Sequence, residues 1–312
     1  MQPLRIIFAG SGEFGLPTLK ALRGAGHEVV QVVTQPDRPA GRGRGMTPTP
    51  IGQFAAEANL PLLPTANINL ESLPEAEVMV VIAFGQKIAD PVIHRPRLGS
   101  VNLHASRLPR YRGAAPINWA ILRGETVAGN SVIRLAQRMD AGAVLAQSEL
   151  PIGELETAGE LHDRLALDGA TLLPSLLASL ADGTAREVEQ DETQATLAPK
   201  LSREDARLDW SRPADELARR VRGLSPWPGC RVAVCDAAGA ELGRIRLVRA
   251  RAVADGEGTR WQPGEIMTGG VVQTGDGALE VVECQPEGKR PMPLADYRRG
   301  HRWHAGLRLQ SV

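Results

Sequence analysis

RIIFAGSGEFGLPTLKALRG, residues 5–24, decides the class of fold. RIIFAG is a short apolar run with no polar alternation, the pattern of a strand covered on both faces. Glycines follow, and then Leu16, Leu19 and Leu22 recur at helical spacing. A buried strand that turns sharply into a helix is the first half of a strand–helix–strand crossover, so the neighbouring strand is expected to run parallel.

The same alternation continues outward. EVVQVVT (28–34), AEVMVVIAFG (76–85) and SVNLHA (100–105) read as further strands, with IGQFAAEA (51–58) and AAPINWAIL (114–122) as helices. SVIRLA and AVLAQSEL flank QRMDAG as a strand–turn–strand edge, and residues 157–180 read as a long helix. Near Gln190 the texture becomes polar and weakly periodic. ADELARRVRGL is then a helix, and from residue 231 short alternating segments are separated by glycine turns such as TGDGA. The expected organisation is an α/β domain with a mostly parallel sheet over 1–189, a linker over 190–206, and a small all-β barrel or sandwich over 207–312.

Bulk properties exclude several classes. The chain has 312 residues, with 36 basic and 36 acidic side chains and a formal net charge of zero. A nucleic-acid partner would therefore have to be met by a local basic patch. No apolar stretch is long enough to span a bilayer, and the N-terminus lacks a signal-peptide layout. The three cysteines form no zinc spacing and read as buried apolar side chains in a reducing cytoplasm. No metal and no obligate protein partner are expected.

GSGEFG (10–15) fits the G-x-G-x-x-G pattern of a dinucleotide turn. A dinucleotide site also needs a carboxylate at the end of the second strand to hold the ribose. That strand ends Thr34-Gln35-Pro36, and Asp37 follows only after the proline. Glu13 would set a carboxylate beside a pyrophosphate. A tight strand-to-helix turn accounts for the glycines, with an NADP site using Arg38 as the competing reading.

GSVNLHASRLPRYRGAAPINWAI (99–121) carries the chemistry. On a strand alternate side chains share a face, so Asn102 and His104 project together at the carboxyl end of a strand, where ligands bind in open α/β sheets. An amide can stabilise an oxyanion and an imidazole can move a proton near neutral pH, the pair that acyl transfer requires. A structural role in bonding to a nearby loop is the alternative. MDAG places Asp140 in a turn after another strand, where its carboxylate could fix the tautomer of His104.

NLHAS-x-LPRYRGAAPI followed by MDAG resembles the signature of the 10-formyltetrahydrofolate-dependent formyltransferases. The likeness continues through RIIFAG, TQPDRPAGRGRG, KLSREDARLDW, GLSPWPG and QPEGKRPM, so it covers nearly the whole chain. It implies a Rossmann-like catalytic domain with a C-terminal OB-like barrel. The implied reaction is formyl transfer from 10-formyltetrahydrofolate, as cosubstrate, to the α-amine of methionine esterified to initiator tRNA. By the same resemblance Asn102, His104 and Asp140 are catalytic. Asn102 and a protonated His104 would stabilise the oxyanion of a tetrahedral intermediate, and Asp140 would help move the amine proton. Folate contacts fall on Ser106, Arg107, Leu108 and Pro109, and on Phe84, Gly85, Gln86, Lys87 and Ile88.

The chain departs from the family pattern in three places. Arg107 stands where a leucine is usual, and FGQKIAD replaces an apolar run. Gln86 and Lys87 could reach the cofactor or face water. GSGEF replaces G-T-P-x-F, and its extra glycine creates the apparent dinucleotide fingerprint.

For tRNA, the resemblance favours the glycine-rich loop carrying Arg38, Arg42 and Arg44, with Lys289 and Arg290 of GKRP and the arginines 219, 220 and 222 on the barrel side. A solvated charged loop is the plain alternative. Three other functions compete: formylation of a nucleotide-linked amino sugar or a small ribonucleotide amine, an NADP-dependent reductase, and a non-catalytic RNA-binding protein.

Overall fold

The computed structural model describes residues 3–40, 45–254 and 261–312. They form two compact units that do not follow a single cut of the chain. The first holds residues 1–113, 128–150 and 162–198, and the second 114–127, 151–161 and 199–312.

The first unit is built on a seven-stranded sheet. Its strands are β1 (Arg5–Gly10), β2 (Glu28–Thr34), β3 (Leu62–Pro64), β4 (Val78–Ile82), β5 (Ser100–His104), β6 (Ser131–Arg134) and β7 (Val144–Gln147). They lie in the order β7-β6-β5-β4-β1-β2-β3. The five strands from β5 to β3 are parallel, and β6 and β7 add an antiparallel hairpin at one edge. β4 is buried at every position and β1 at all but its first, as a strand covered on both faces requires. Full burial of side chains such as Ile6, Phe8 and Met79 stabilises the fold by roughly 1.5–3 kcal/mol each.

Helix α1 (Leu16–Gly24) turns Leu19 and Leu22 into the core, and α2 (Pro50–Glu57) is capped by the Thr49 hydroxyl, which accepts from the Gly52 amide. The opening glycines serve this packing. A Cβ at Gly10 would sit 2.9 Å from the Ile82 carbonyl and 2.8 Å from the Phe8 ring. The Ser11 hydroxyl accepts from the Gln35 amide and donates to the Phe84 carbonyl, tying the ends of β1, β2 and β4 together. Thr34, where a ribose-binding acid would stand, is buried against the Thr49 hydroxyl at 2.6 Å. The strand-to-helix reading of GSGEFG is the one this packing supports.

The second unit contains α3 (Pro116–Leu122), α5 (Ala214–Gly223), α6 (Leu294–Gly300) and a six-stranded antiparallel sheet. Its strands are β8 (Arg231–Cys235), β9 (Glu241–Val253), β10 (Val272–Gln273), β11 (Ala278–Pro286), β12 (Met292–Pro293) and β13 (Arg308–Ser311). They run β10-β11-β9-β8-β13, with β12 beside β11. The two ends of that path meet. Residues 264–267 bond to residues 306–309 on one side and to residues 271–273 on the other, and this closes the sheet into a barrel. α5 presents Leu217, Ala218 and Val221 to the barrel core and keeps its Asp215–Arg219 pair outside.

Helix α4 (Ala158–Ala181) matches the long helix expected, and the three cysteines are buried and free. β3, α6 and β13 lack a clear signal in the sequence. Residues 190–198, read as the start of a linker, pack in the first unit: Gln190 bonds to the carbonyls of Asp140 and Gly142, and Leu197–Ala198 pair with Arg112–Gly113. Among the described residues no helix is long and apolar enough to cross a membrane, and no group of three or more His, Cys, Asp or Glu could hold a metal ion.

Candidate active site

β5 positions two of the site residues. Leu103 faces α4, where a Cβ at Gly169 would lie 2.5 Å from its side chain. Asn102 and His104 therefore project from the opposite face. Asn102 pairs with Ile133 and His104 with Ser131 across the antiparallel β5–β6 ladder. The Asn102 side chain is half-buried, and its amide makes no hydrogen bond to another described residue.

His104 is 7% exposed. Its Nε2 lies 2.9 Å from the Tyr111 carbonyl, and its Nδ1 lies 3.7 Å from Oδ2 of Asp140. The carbonyl can only accept, so Nε2 carries a proton, and Nδ1 faces the Asp140 carboxylate. Asp140 arrives from the β6–β7 turn with φ 52°, in the left-handed region that Asp tolerates better than most side chains. Its Oδ2 accepts from the Gly113 amide at 2.8 Å. Gly113 (φ 121°) must be glycine, since a Cβ there would meet the Ala198 carbonyl at 2.7 Å.

The segment after β5 is pinned to the edge hairpin. Ser131 Oγ donates to the Ser106 carbonyl at 2.6 Å and accepts from the Leu108 amide at 2.9 Å. Gln147 Nε2 donates to the Leu108 carbonyl at 2.8 Å, and Ser106 Oγ donates to the Arg110 carbonyl at 2.6 Å. Leu108 is buried, Pro109 is half-buried after a cis peptide, and Arg107 is exposed and paired with Glu149.

On the β4 side, Phe84 and Ile88 belong to the hydrophobic core, whereas Gly85 and Lys87 are exposed. Gln86 is half-buried. It donates to the Thr65 carbonyl at 2.7 Å and accepts from the Ile68 amide at 2.9 Å, stitching one loop to another.

The basic residues separate into two groups. Arg38 is exposed and bonded to Gln35, and Lys289 and Arg290 are exposed at a turn. Arg42 and Arg44 lie outside the described residues. The α5 arginines have structural contacts: Arg219 with Asp215, Arg220 with the Arg207 carbonyl and Arg222 with the Glu156 carbonyl. Sequence reasoning missed Arg112 and Gln190. Arg112 is buried, bound to both Glu192 oxygens and to Gln190, and Gln190 donates to the carbonyls of Asp140 and Gly142.

Residues 4–177 match the formyl transferase family model and residues 200–302 match the formyl transferase C-terminal domain. The chain is 43% identical over 316 residues to the methionyl-tRNA formyltransferase of Methylococcus capsulatus, covering 98% of this chain and 99% of that protein. It is 42% identical over 309 residues to the methionyl-tRNA formyltransferase of Acidobacterium capsulatum, covering 96% and 97%. The chain belongs to the formyl transferase family, among the methionyl-tRNA formyltransferases.

The fold agrees with that membership. An N-formyltransferase from Helicobacter canadensis, solved with folinic acid and dTDP-3-aminofucose, superposes with a TM-score of 0.65 at 13% identity. The match covers 91% of this formyl transferase and 98% of that one. The family's one-carbon donor is formyltetrahydrofolate, and the mostly parallel sheet with a C-terminal β unit is the family's architecture.

Proposed function

We propose that this enzyme transfers the formyl group of 10-formyltetrahydrofolate to the α-amine of methionine esterified to initiator tRNA, in the cytoplasm where that tRNA is charged and used. The observation that carries the mechanism is the approach of Asp140 to His104 at the carboxyl end of β5, beside the unengaged amide of Asn102. A C–N bond forms between the amine and the formyl carbon, the bond from that carbon to N10 of the folate breaks, and a proton passes from amine to N10.

The tetrahedral intermediate places negative charge on the formyl oxygen. Asn102 is free to donate to it, because among the described residues none accepts from its amide. His104 is the second proposed stabiliser of that charge, acting from a buried position where electrostatic interactions are strong. Asp140 faces that ring and, directly or through one water, accepts the amine proton and returns it to the leaving nitrogen. The exposed backbone at Gly85, and the 106–109 segment that Ser131 and Gln147 hold in place, are the proposed folate contacts. Contact through main-chain atoms is compatible with Arg107 in place of leucine.

For tRNA, Arg38 with its neighbours Arg42 and Arg44, and Lys289 with Arg290, are the proposed phosphate contacts. Residues 1–189 and 207–312 are the proposed catalytic and tRNA-binding domains, and no protein partner is required. The deciding assay is transfer of labelled formyl from 10-formyltetrahydrofolate by purified protein. Product on charged initiator tRNA, and none on uncharged tRNA or on a nucleotide-linked amino sugar, is expected. Formylation of the amino sugar alone would overturn the assignment of the acceptor.

A further inference from the structure

We infer that Gln190 is a positioning residue for the reaction, holding the turn that aims Asp140 at His104. The inference rests on the catalytic assignment of Asp140 above.

Gln190 Nε2 donates to the Asp140 carbonyl at 2.8 Å and to the Gly142 carbonyl at 2.7 Å. Its Oε1 accepts from Arg112 Nη2 at 2.7 Å and Nε at 3.1 Å. Arg112 can only donate and the two carbonyls can only accept, so chemistry fixes the orientation of this amide. Every polar atom of the side chain is engaged, and none is left to touch a substrate.

Asp140 needs such a hold. Its φ of 52° is uphill for a residue with a Cβ and is held by surrounding contacts. Gly142 adds to the constraint, because its backbone lies so close to Arg134 that a Cβ would fall 1.9 Å from that residue's carbonyl.

The same stretch of chain acts on the other end of the aspartate. Leu197 and Ala198 pair with Arg112 and Gly113, and the Thr196 hydroxyl accepts from the Tyr111 amide at 2.9 Å. These bonds set Gly113, whose amide holds the carboxylate, and Tyr111, whose carbonyl holds His104 Nε2. Residues 188–198 therefore brace the main chain of Asp140, its carboxylate and the imidazole. Gln190 is the one member of this brace that touches the Asp140 backbone through a side chain, and so it can be changed without altering a ladder.

The test compares Gln190→Ala, Gln190→Glu and Asp140→Ala, with the double variant Asp140→Ala/Gln190→Ala. Gln190→Glu keeps the volume and the acceptor for Arg112 but loses both donated bonds. Because a misplacement of about 1 Å can cost about 10²-fold, kcat should fall by about that factor in both single Gln190 variants with KM held, and Gln190→Ala, which also takes an acceptor from the buried Arg112, should melt below Gln190→Glu. In the Asp140→Ala background, the second change should cost almost nothing, since two residues acting as one unit are not additive. Wild-type kcat in Gln190→Glu would overturn the inference and leave Gln190 as a partner of Arg112. An undiminished effect of Gln190→Ala in the Asp140→Ala background would also overturn it. Near-normal turnover of Asp140→Ala would instead remove the assignment on which the inference stands.

Discussion

Oδ2 of Asp140 lies 2.8 Å from the amide of Gly113 and 3.7 Å from Nδ1 of His104, so one carboxylate oxygen is bonded to main chain while facing the imidazole. That geometry separates the charge of Asp140 from its shape. Asp140→Asn keeps an acceptor for the Gly113 amide and a similar volume, but removes the negative charge beside the ring. The expected result is a fold of unchanged stability whose kcat drops by about 10²–10⁴-fold, the range of a lost acid–base group. Asn102→Ala and His104→Ala should fall in the same range, through loss of oxyanion stabilisation. Steady-state kinetics with circular-dichroism melts check all three, and a kcat within severalfold of wild type in any of them removes that residue from the mechanism.

The Thr157–Glu160 pair links a helix cap to acid stability. Thr157 and Glu160 form a reciprocal capping box at the start of α4, with the Glu160 carboxylate accepting from the Thr157 amide at 2.9 Å. Arg249 also binds that carboxylate, at 2.8 Å and 3.0 Å. The bonded guanidinium, with help from the cap, holds the Glu160 carboxyl down at about 2 from its ordinary 4.5. A lowered folded-state value means that the stabilisation is complete above about pH 4.5 and is lost as pH falls toward about 2. Glu160 is half-exposed, so solvent screening leaves about 1 kcal/mol of it. Urea midpoints of wild type and Glu160→Gln should differ at neutral pH and converge as the pH is lowered through this window. A gap that stays constant down to about pH 3 would contradict the linkage.

The sequence made the first unit legible as far as periodicity reaches. β1 and β4 are continuous apolar runs, β2 and β5 are apolar runs interrupted by polar side chains, and their parallel pairing follows from the helices between them. β3 was not legible, because its three residues end in a proline and gain their strand character only from pairing with β2. Asn102 and His104 could be placed on one face from strand alternation alone. Their meeting with Asp140 depends on a left-handed residue and a glycine amide from separate turns, and no local pattern encodes that. Gln190 was hidden for the same reason. It sits in a polar, weakly periodic stretch, and its role exists only through contacts with residues 112, 140 and 142. The loop-to-loop bonds of Gln86 to Ile68 and Thr65 were hidden likewise, since their partners are distant in sequence.

The thiols should be inert in the native enzyme. Burial pushes Cys230 and Cys284 up to about 12, and burial also raises Cys235. The reactive thiolate is therefore nearly absent at about pH 8. A disulfide reagent such as Ellman's should titrate almost none of the three cysteines in the folded protein and all of them in guanidinium. Rapid reaction of one thiol under native conditions would mean that the barrel core opens on that timescale.

Exposure divides the basic residues of the second unit into those available to a polyanion and those committed to the fold. Lys289 and Arg290 stand exposed on a turn, whereas Arg219 is bonded to Asp215 at 2.6 Å. Removing one cation from a phosphate of a duplex region should reduce the salt slope of log K by about 0.9. Lys289→Ala/Arg290→Ala should therefore weaken tRNA binding most at low salt and flatten its dependence on salt by about one to two units. Arg219→Ala should leave that slope unchanged and lower stability instead, because it frees Asp215 and strips a guanidinium whose Nε is buried. Filter binding of charged initiator tRNA across a salt series, run beside urea melts, separates the two outcomes. A steep slope that survives Lys289→Ala/Arg290→Ala would place the phosphate-binding cations elsewhere on the protein.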